Sequence, residues 1–117
     1  MDYSDYRRYD ATALAELVAT GQVSAGELLD TAITRLDAVD PVLNSVVYRL
    51  DQRARTRAKG TLTGPFAGVP FLVKDLAQDV VGTPTGSGSR SLASLPAARN
   101  ALVVDRWMDA GLVVFGK

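Results

Sequence analysis

The sequence predicts an α/β fold, a partial mixed sheet flanked by helices. Two observations carry this. Apolar residues recur at helical spacing through the first third of the chain, with capping residues at the expected ends, whereas two short β-branched and aromatic runs, 69–73 and 112–115, lie on either side of a helical pattern. A strand, helix, strand order is the mark of a parallel crossover. The amount of apolar material agrees: 117 residues with 47% hydrophobic and 22% charged suit one small packed unit and not a disordered chain.

Residues 1–9 hold three tyrosines and two arginines without a period, and are expected to form a loosely ordered arm over the body. Asp10 caps a helix over 11–19 with Leu14, Leu17 and Val18 on one face, and Gly21 lies just past its end. Ser24 and Glu27 have the spacing of a capping box and open a second helix whose apolar stripe, Leu28, Leu29, Ala32, Ile33 and Leu36, runs down to Val39. Pro41 is expected to forbid continuation soon after Asp40. Residues 42–48 read as a short strand, and 50–59, with Arg53, Arg55, Arg57 and Lys59 spread around a thin apolar stripe, as a solvated helix.

Gly64-Pro65-Phe66-Ala67-Gly68-Val69-Pro70-Phe71-Leu72-Val73-Lys74-Asp75 is the stretch with chemical content: a Gly/Pro turn, a buried strand, then a lysine at its end. Two readings stand side by side. Lys74 is either a solvated ammonium whose stem lies along the core, or an amine kept dry and uncharged by Val69, Phe71 and Val73 and able to act as a base. Beyond it, 76–81 is extended or a single helical turn, and 82–95 is a loop of small residues. A helix is expected over 97–110 with Leu102, Val103, Arg106 and Trp107 on one side, followed at Gly111 by the strand 112–115. Gly86-Ser87-Gly88-Ser89 is no dinucleotide cradle, since no strand precedes it and position 91 is Ser91. Gly111 to Lys117 matches the start of a phosphate-binding Gly-x4-Gly-Lys loop, yet the four intervening residues, Leu-Val-Val-Phe, form a strand and not a loop of inward amides.

Composition removes several function classes. The chain has no cysteine and no histidine, so it contains no disulfide, no thiol nucleophile, no histidine-based triad and no His/Cys zinc site, and neither a metal nor a cofactor is expected. Thirteen basic and thirteen acidic residues cancel without long blocks, which argues against direct nucleic-acid binding or an anionic membrane surface. Apolar runs fall far short of the roughly 20 residues of a membrane helix. The acidic, aromatic N-terminus does not resemble a signal peptide, so a cytoplasmic protein is expected.

Three segments resemble the amidase signature family, serine hydrolases that use a Ser–cis-Ser–Lys triad. These are the lysine-bearing stretch 64–75, the stretch Gly82-Thr83-Pro84-Thr85-Gly86-Ser87 after it, and the run 105–117 ending in Gly116-Lys117. The resemblance implies that residues 1–117 are the N-terminal part of a single amidase domain, with a helical hairpin at about 10–40 and an α/β part at about 42–117. It implies that Lys74 is the catalytic lysine, and that the family's Gly-Gly-Ser-Ser-Gly-Gly loop, source of both serines and the oxyanion hole, lies downstream of Lys117. On that reading Asp75 points away from the Lys74 amine, the substrate is a small linear or cyclic amide, and the 117 residues alone are inactive. Uncovered sheet edges and apolar faces are expected, to be covered by the remainder of the amidase chain or a partner chain, with a homodimer also allowed. The alternatives are an amidotransferase A-type subunit, which shares these motifs, and a non-catalytic α/β fragment or interaction module in which Lys74 serves only structure.

Overall fold

The computed structural model describes all residues, Met1–Lys117. The first helix, α1 (Tyr3–Tyr6), is a single turn capped by the Asp2 carboxylate. It replaces the loose arm expected there. Tyr3 lies under the Arg35 guanidinium, 4.6 Å from Cζ to ring centroid, Tyr6 packs against the core, and the Thr31 hydroxyl donates to the Met1 carbonyl at 2.6 Å. These contacts, made by amphipathic rings and a cation across to a later helix, are invisible to a search for local periodicity.

The helical hairpin α2 (Ala11–Ala19) and α3 (Ala25–Leu43) forms as its caps dictate. The Asp10 carboxylate accepts from the Ala13 amide at 2.9 Å, and Ser24 and Glu27 complete a reciprocal capping box. Leu28 and Leu29 are wholly buried. Pro41 does not end α3, which runs two residues further to Leu43. Proline so close to the end of a helix removes one intrahelical donor only, and the turn beyond it is held from outside. Asn44 adopts a left-handed conformation (φ 48°), and the Asp40 carboxylate accepts from the Ser45 amide at 2.7 Å, the Ser45 hydroxyl at 2.9 Å and the Val46 amide at 3.1 Å.

No strand forms over 42–48, because its first two residues belong to α3 and Asn44 turns the chain. The backbone after this turn still runs antiparallel to the last strand. The Lys117 amide donates to the Tyr48 carbonyl and the Val47 amide to the Lys117 carbonyl, both at 2.8 Å, and one bridge joins Arg49 to Gly116. Helix α4 (Asp51–Ala58) is solvated as expected, apart from one cation. Arg57 is half-buried, donating to the carbonyls of Met108 at 2.5 Å and Leu112 at 3.0 Å.

Strands β1 (Pro70–Leu72) and β2 (Val113–Gly116) pair in parallel, Pro70 beside Val113 and Phe71 beside Val114, with an irregularity before Leu72. Every residue of β2 is buried. The intervening helix α5 spans Leu102–Asp109, shorter than the 97–110 expected. Backbone groups of 97–101 bind the preceding loop instead of continuing a helix: Ala97 N donates to Thr83 O at 2.9 Å and Ala101 N to Asp79 O at 3.0 Å. Starting the helix later also changes its inner face. Val104 is fully buried with Trp107 and Met108 beside it, while Leu102 is 69% exposed. Phe71 and Trp107 meet edge to face with centroids 5.1 Å apart.

The core is three adjoining clusters: α3 against α4 and β2, the α2–α3 hairpin against Val69 and Leu112, and α5 against Leu50, Val73 and Val114. β1 and β2 lie between them. Several large apolar side chains are left open to solvent, among them Val42, Leu43, Val47, Leu72 and Leu76, in keeping with the uncovered faces expected from sequence.

Candidate functional site

The end of β1 and the loop after it form a cavity of about 570 Å3, lined by Tyr48, Lys74, Asp75, Pro84, Gly86 and Ser87 among others. Lys74 reaches it because β1 stops one residue short of the buried Val73. Its side chain is exposed, contrary to the expectation that Val69, Phe71 and Val73 keep it dry. Val69, Phe71 and Val73 pack into the core clusters, whereas Lys74 lies beyond the end of β1, after the 40% exposed Leu72, where no core cluster includes it. Within these residues, the amine faces open cavity and no core side chain covers it.

The backbone around Lys74 is firmly held. Its amide donates to Gln78 Oε1 at 2.6 Å. Asp75 turns its carboxylate away, as expected: Oδ1 accepts from the Gly86 amide at 2.9 Å, and Lys74 makes no ion pair. The Asp75 carbonyl also accepts from the Ser87 amide at 2.9 Å. The small residues of the loop make this approach feasible, since a β-carbon on Gly86 would stand 2.9 Å from Asp75 Oδ2.

A second lysine belongs to the same region, and residue spacing offered little sign of it. Lys117 follows β2 and is only 3% exposed. Its Nζ donates to the Pro84 carbonyl at 2.6 Å and to Thr85 Oγ1 at 2.9 Å, with no carboxylate close enough for an ion pair. Burial pulls its pKa down from the usual lysine value, opposed by the nearby charges of Asp75 and Asp79. In the sequence, Lys117 stands only as the cation after an apolar strand, at the end of the Gly-x4-Gly-Lys match and of the family-like run 105–117. No group of three or more acidic side chains could hold a metal ion, and no helix is long and apolar enough to cross a membrane.

Chemically, the arrangement offers an amine at the mouth of an open hollow, a strand end fixed by side-chain and backbone bonds, and a wall of small residues against which another segment or a substrate could lie. Comparison with known proteins gives this geometry a context. The family model described as Amidase matches residues 27–117. A 6-aminohexanoate-cyclic-dimer hydrolase from Pseudomonas sp. (strain NK87) is 41% identical over 111 residues, 92% of this chain and 22% of the relative. The A-type subunit of the glutamyl-tRNA(Gln) amidotransferase of Acidothermus cellulolyticus is 36% identical over 122 residues, 97% of this chain and 24% of the relative. Among solved structures, that of 6-aminohexanoate cyclic dimer hydrolase complexed with substrate superposes with a TM-score of 0.87 at 40% identity, covering 93% of this chain and 23% of the other. The chain thus spans about a quarter of the length of the relatives it matches.

Proposed function

Because this chain belongs to the amidase family, we propose that it is the lysine-bearing part of an enzyme that hydrolyses a carboxylic amide, and that Lys74 is the base. The observation that carries the reading is the position of Lys74, at the end of β1 on the rim of the cavity, with Asp75 bonded to Gly86 and so unavailable to neutralise it. A lysine works as a base only when its uncharged form is favoured, which requires a dry surrounding. Within residues 1–117 the amine is exposed. The drying is therefore the task of whatever fills the cavity, and in this reading that is the family's serine-bearing loop, in the same polypeptide.

The chemistry then runs through hydroxyls. Neutral Lys74 takes the proton of the bridging cis-serine, which takes that of the nucleophilic serine as its oxygen attacks the amide carbonyl; the amine leaves with a proton, and water hydrolyses the acyl-enzyme. Residues 1–117 contribute the base and one wall of the site, and are inactive on their own. The substrate proposed is a small linear or cyclic amide, on the strength of the likeness to the cyclic-dimer hydrolase. A cytoplasmic location, and residues 1–117 as one end of a single domain, are part of this reading.

A second reading is favoured by the amidotransferase relative: the chain is part of a polypeptide that releases ammonia from an amide for transfer, working with partner subunits. One experiment addresses both. The full-length protein is assayed on 6-aminohexanoate cyclic dimer, on a linear acyl amide and on glutamine, as wild type and as Lys74→Ala. Turnover of the first two, lost by orders of magnitude in a folded Lys74→Ala, supports the hydrolase; turnover of glutamine alone supports the amidotransferase. Near-normal rates in Lys74→Ala return the residue to a structural role.

A further inference from the structure

Beyond the C-terminal end of each of the two parallel strands, one charged residue bonds to the same four-residue turn of the loop. From β1, Asp75 accepts the Gly86 amide through its carboxylate and the Ser87 amide through its carbonyl. From β2, the buried ammonium of Lys117 bonds the Pro84 carbonyl and the Thr85 hydroxyl. The 84–87 turn is thus gripped on successive residues by an anion and a cation that form no ion pair with each other. A cation this buried is costly unless its donors are used. Here they meet neutral oxygens of one loop, an arrangement that adds little to the core but fixes where that loop stands.

We propose that Lys117 is a positioning residue for the reaction at Lys74. It pins the 84–87 turn, and the turn in turn pins Asp75, the residue joined by a peptide bond to the base. The inference rests on the amide-hydrolase reading above. Lys117 touches no reacting atom; its effect passes through Thr85, Gly86 and Asp75. When the Lys117 bonds are lost, the turn loosens and the strand end carrying Lys74 wanders from the proton it must accept. The rate constant of the bound complex suffers, and substrate binding does not.

The test uses the full-length protein with Lys117→Met, Lys117→Arg, Thr85→Val and Lys74→Ala, read by hydrogen exchange of peptides spanning 82–89 and by kcat and KM for amide hydrolysis. Lys117→Met is expected to speed exchange in that peptide about ten-fold, as the loss of one or two hydrogen bonds implies, with peptides of β2 unchanged. Its kcat falls about ten-fold at an unaltered KM, and Lys117→Arg recovers part of both. Thr85→Val, which removes one acceptor and no charge, shows the same pattern more weakly and serves if Lys117→Met does not fold. Unchanged exchange at 82–89 in the folded variants overturns the proposal, and so does faster exchange with kcat untouched or with KM alone raised. Lys74→Ala separates the two layers: it abolishes turnover and leaves exchange at 82–89 as in wild type, whereas failure of the amidase reading shows as absence of Lys74-dependent turnover with the exchange result standing independently.

Discussion

Gly64 and Gly111 lie where two backbone segments cross too closely for a β-carbon on either. A β-carbon on Gly111 (φ +94°) would stand 2.6 Å from the Thr63 carbonyl oxygen and from Ala67 Cα, and one on Gly64 (φ +107°) 2.6 Å from the Ala110 carbonyl group. Between them the Phe66 amide donates to Ala110 O at 2.8 Å and the Gly68 amide to Gly111 O at 3.0 Å. This crossing sets the loop that enters β1 against the turn that enters β2, and so fixes the register on which the Lys74 site depends.

Gly111→Ala is therefore expected to destabilise the protein severely. The substitution combines a left-handed backbone with contacts to main-chain atoms that no side-chain rotation relieves, and a loss of about 3 kcal/mol or more follows from strain and overpacking together. Chemical denaturation of the full-length protein checks it. Gly82→Ala provides the contrast: φ is +76° there but nothing lies within 4 Å of the added carbon, so only backbone strain of about 1 kcal/mol is expected.

These positions also show what could be read from the sequence and what could not. Caps and stripes are local, so Asp10, Ser24, Glu27 and the Leu28–Leu36 face were legible from residue type and spacing alone. Strands β1 and β2 were legible within the β-branched and aromatic runs 69–73 and 112–115. Pro41 misled because its rule concerns the helix interior, and the bonds that extend α3 past it come from Asp40 to residues outside the helix. Residues 97–101 misled because their helical composition is overruled by hydrogen bonds to Thr83 and Asp79, far back in the chain. At the candidate site, the motif singles out Lys74, whereas its exposure depends on how the chain leaves β1, which residue type and spacing do not encode. Lys117 was missed because its partners, Pro84 and Thr85, are neutral and distant in sequence.

Arg57 holds α4 to the α5–β2 turn through a charged fork on two carbonyls. Arg57→Ala removes two charged hydrogen bonds, although Met108 O keeps the Gly111 amide, and also removes packing, and is expected to cost about 1.5–3 kcal/mol. Arg57→Lys is expected to recover less than half, since an ammonium cannot reproduce the planar two-point geometry. Urea unfolding midpoints of the three proteins decide the matter; equal midpoints for lysine and arginine would show that charge alone is at work.

Acid is expected to loosen the end of α3. The amides of Ser45 and Val46 and the Ser45 hydroxyl hold the Asp40 carboxyl below the usual carboxylate range. A folded-state pKa depressed below the unfolded one contributes stability that is complete above the unfolded value, near 3.8, and is lost as pH falls through the folded value. As pH drops below about 4, the Ser45 and Val46 amides are expected to lose protection from hydrogen exchange relative to those of mid-α3. Asp40→Asn should remove this pH dependence. Acid loss of protection that persists in Asp40→Asn would assign it to another carboxylate.

Exposed apolar side chains stand near the sheet and the cavity beside it. Val47 is 61% exposed, Leu72 40% and Leu76 57%, and Val47 and Leu76 line the same cavity as Lys74. Scattered exposed leucines are ordinary on protein surfaces, but apolar residues grouped at the rim of a cavity and beside a small sheet form a surface that water covers poorly. Prepared alone, residues 1–117 are expected to bind a hydrophobic dye and to elute from a sizing column above the 12.4 kDa of one chain. Leu72→Lys and Leu76→Lys together should reduce both effects while leaving far-ultraviolet circular dichroism unchanged, since neither side chain is buried. A monomer with no dye binding would mean that this surface closes on itself, and would remove the physical reason for expecting another segment to cover the Lys74 amine.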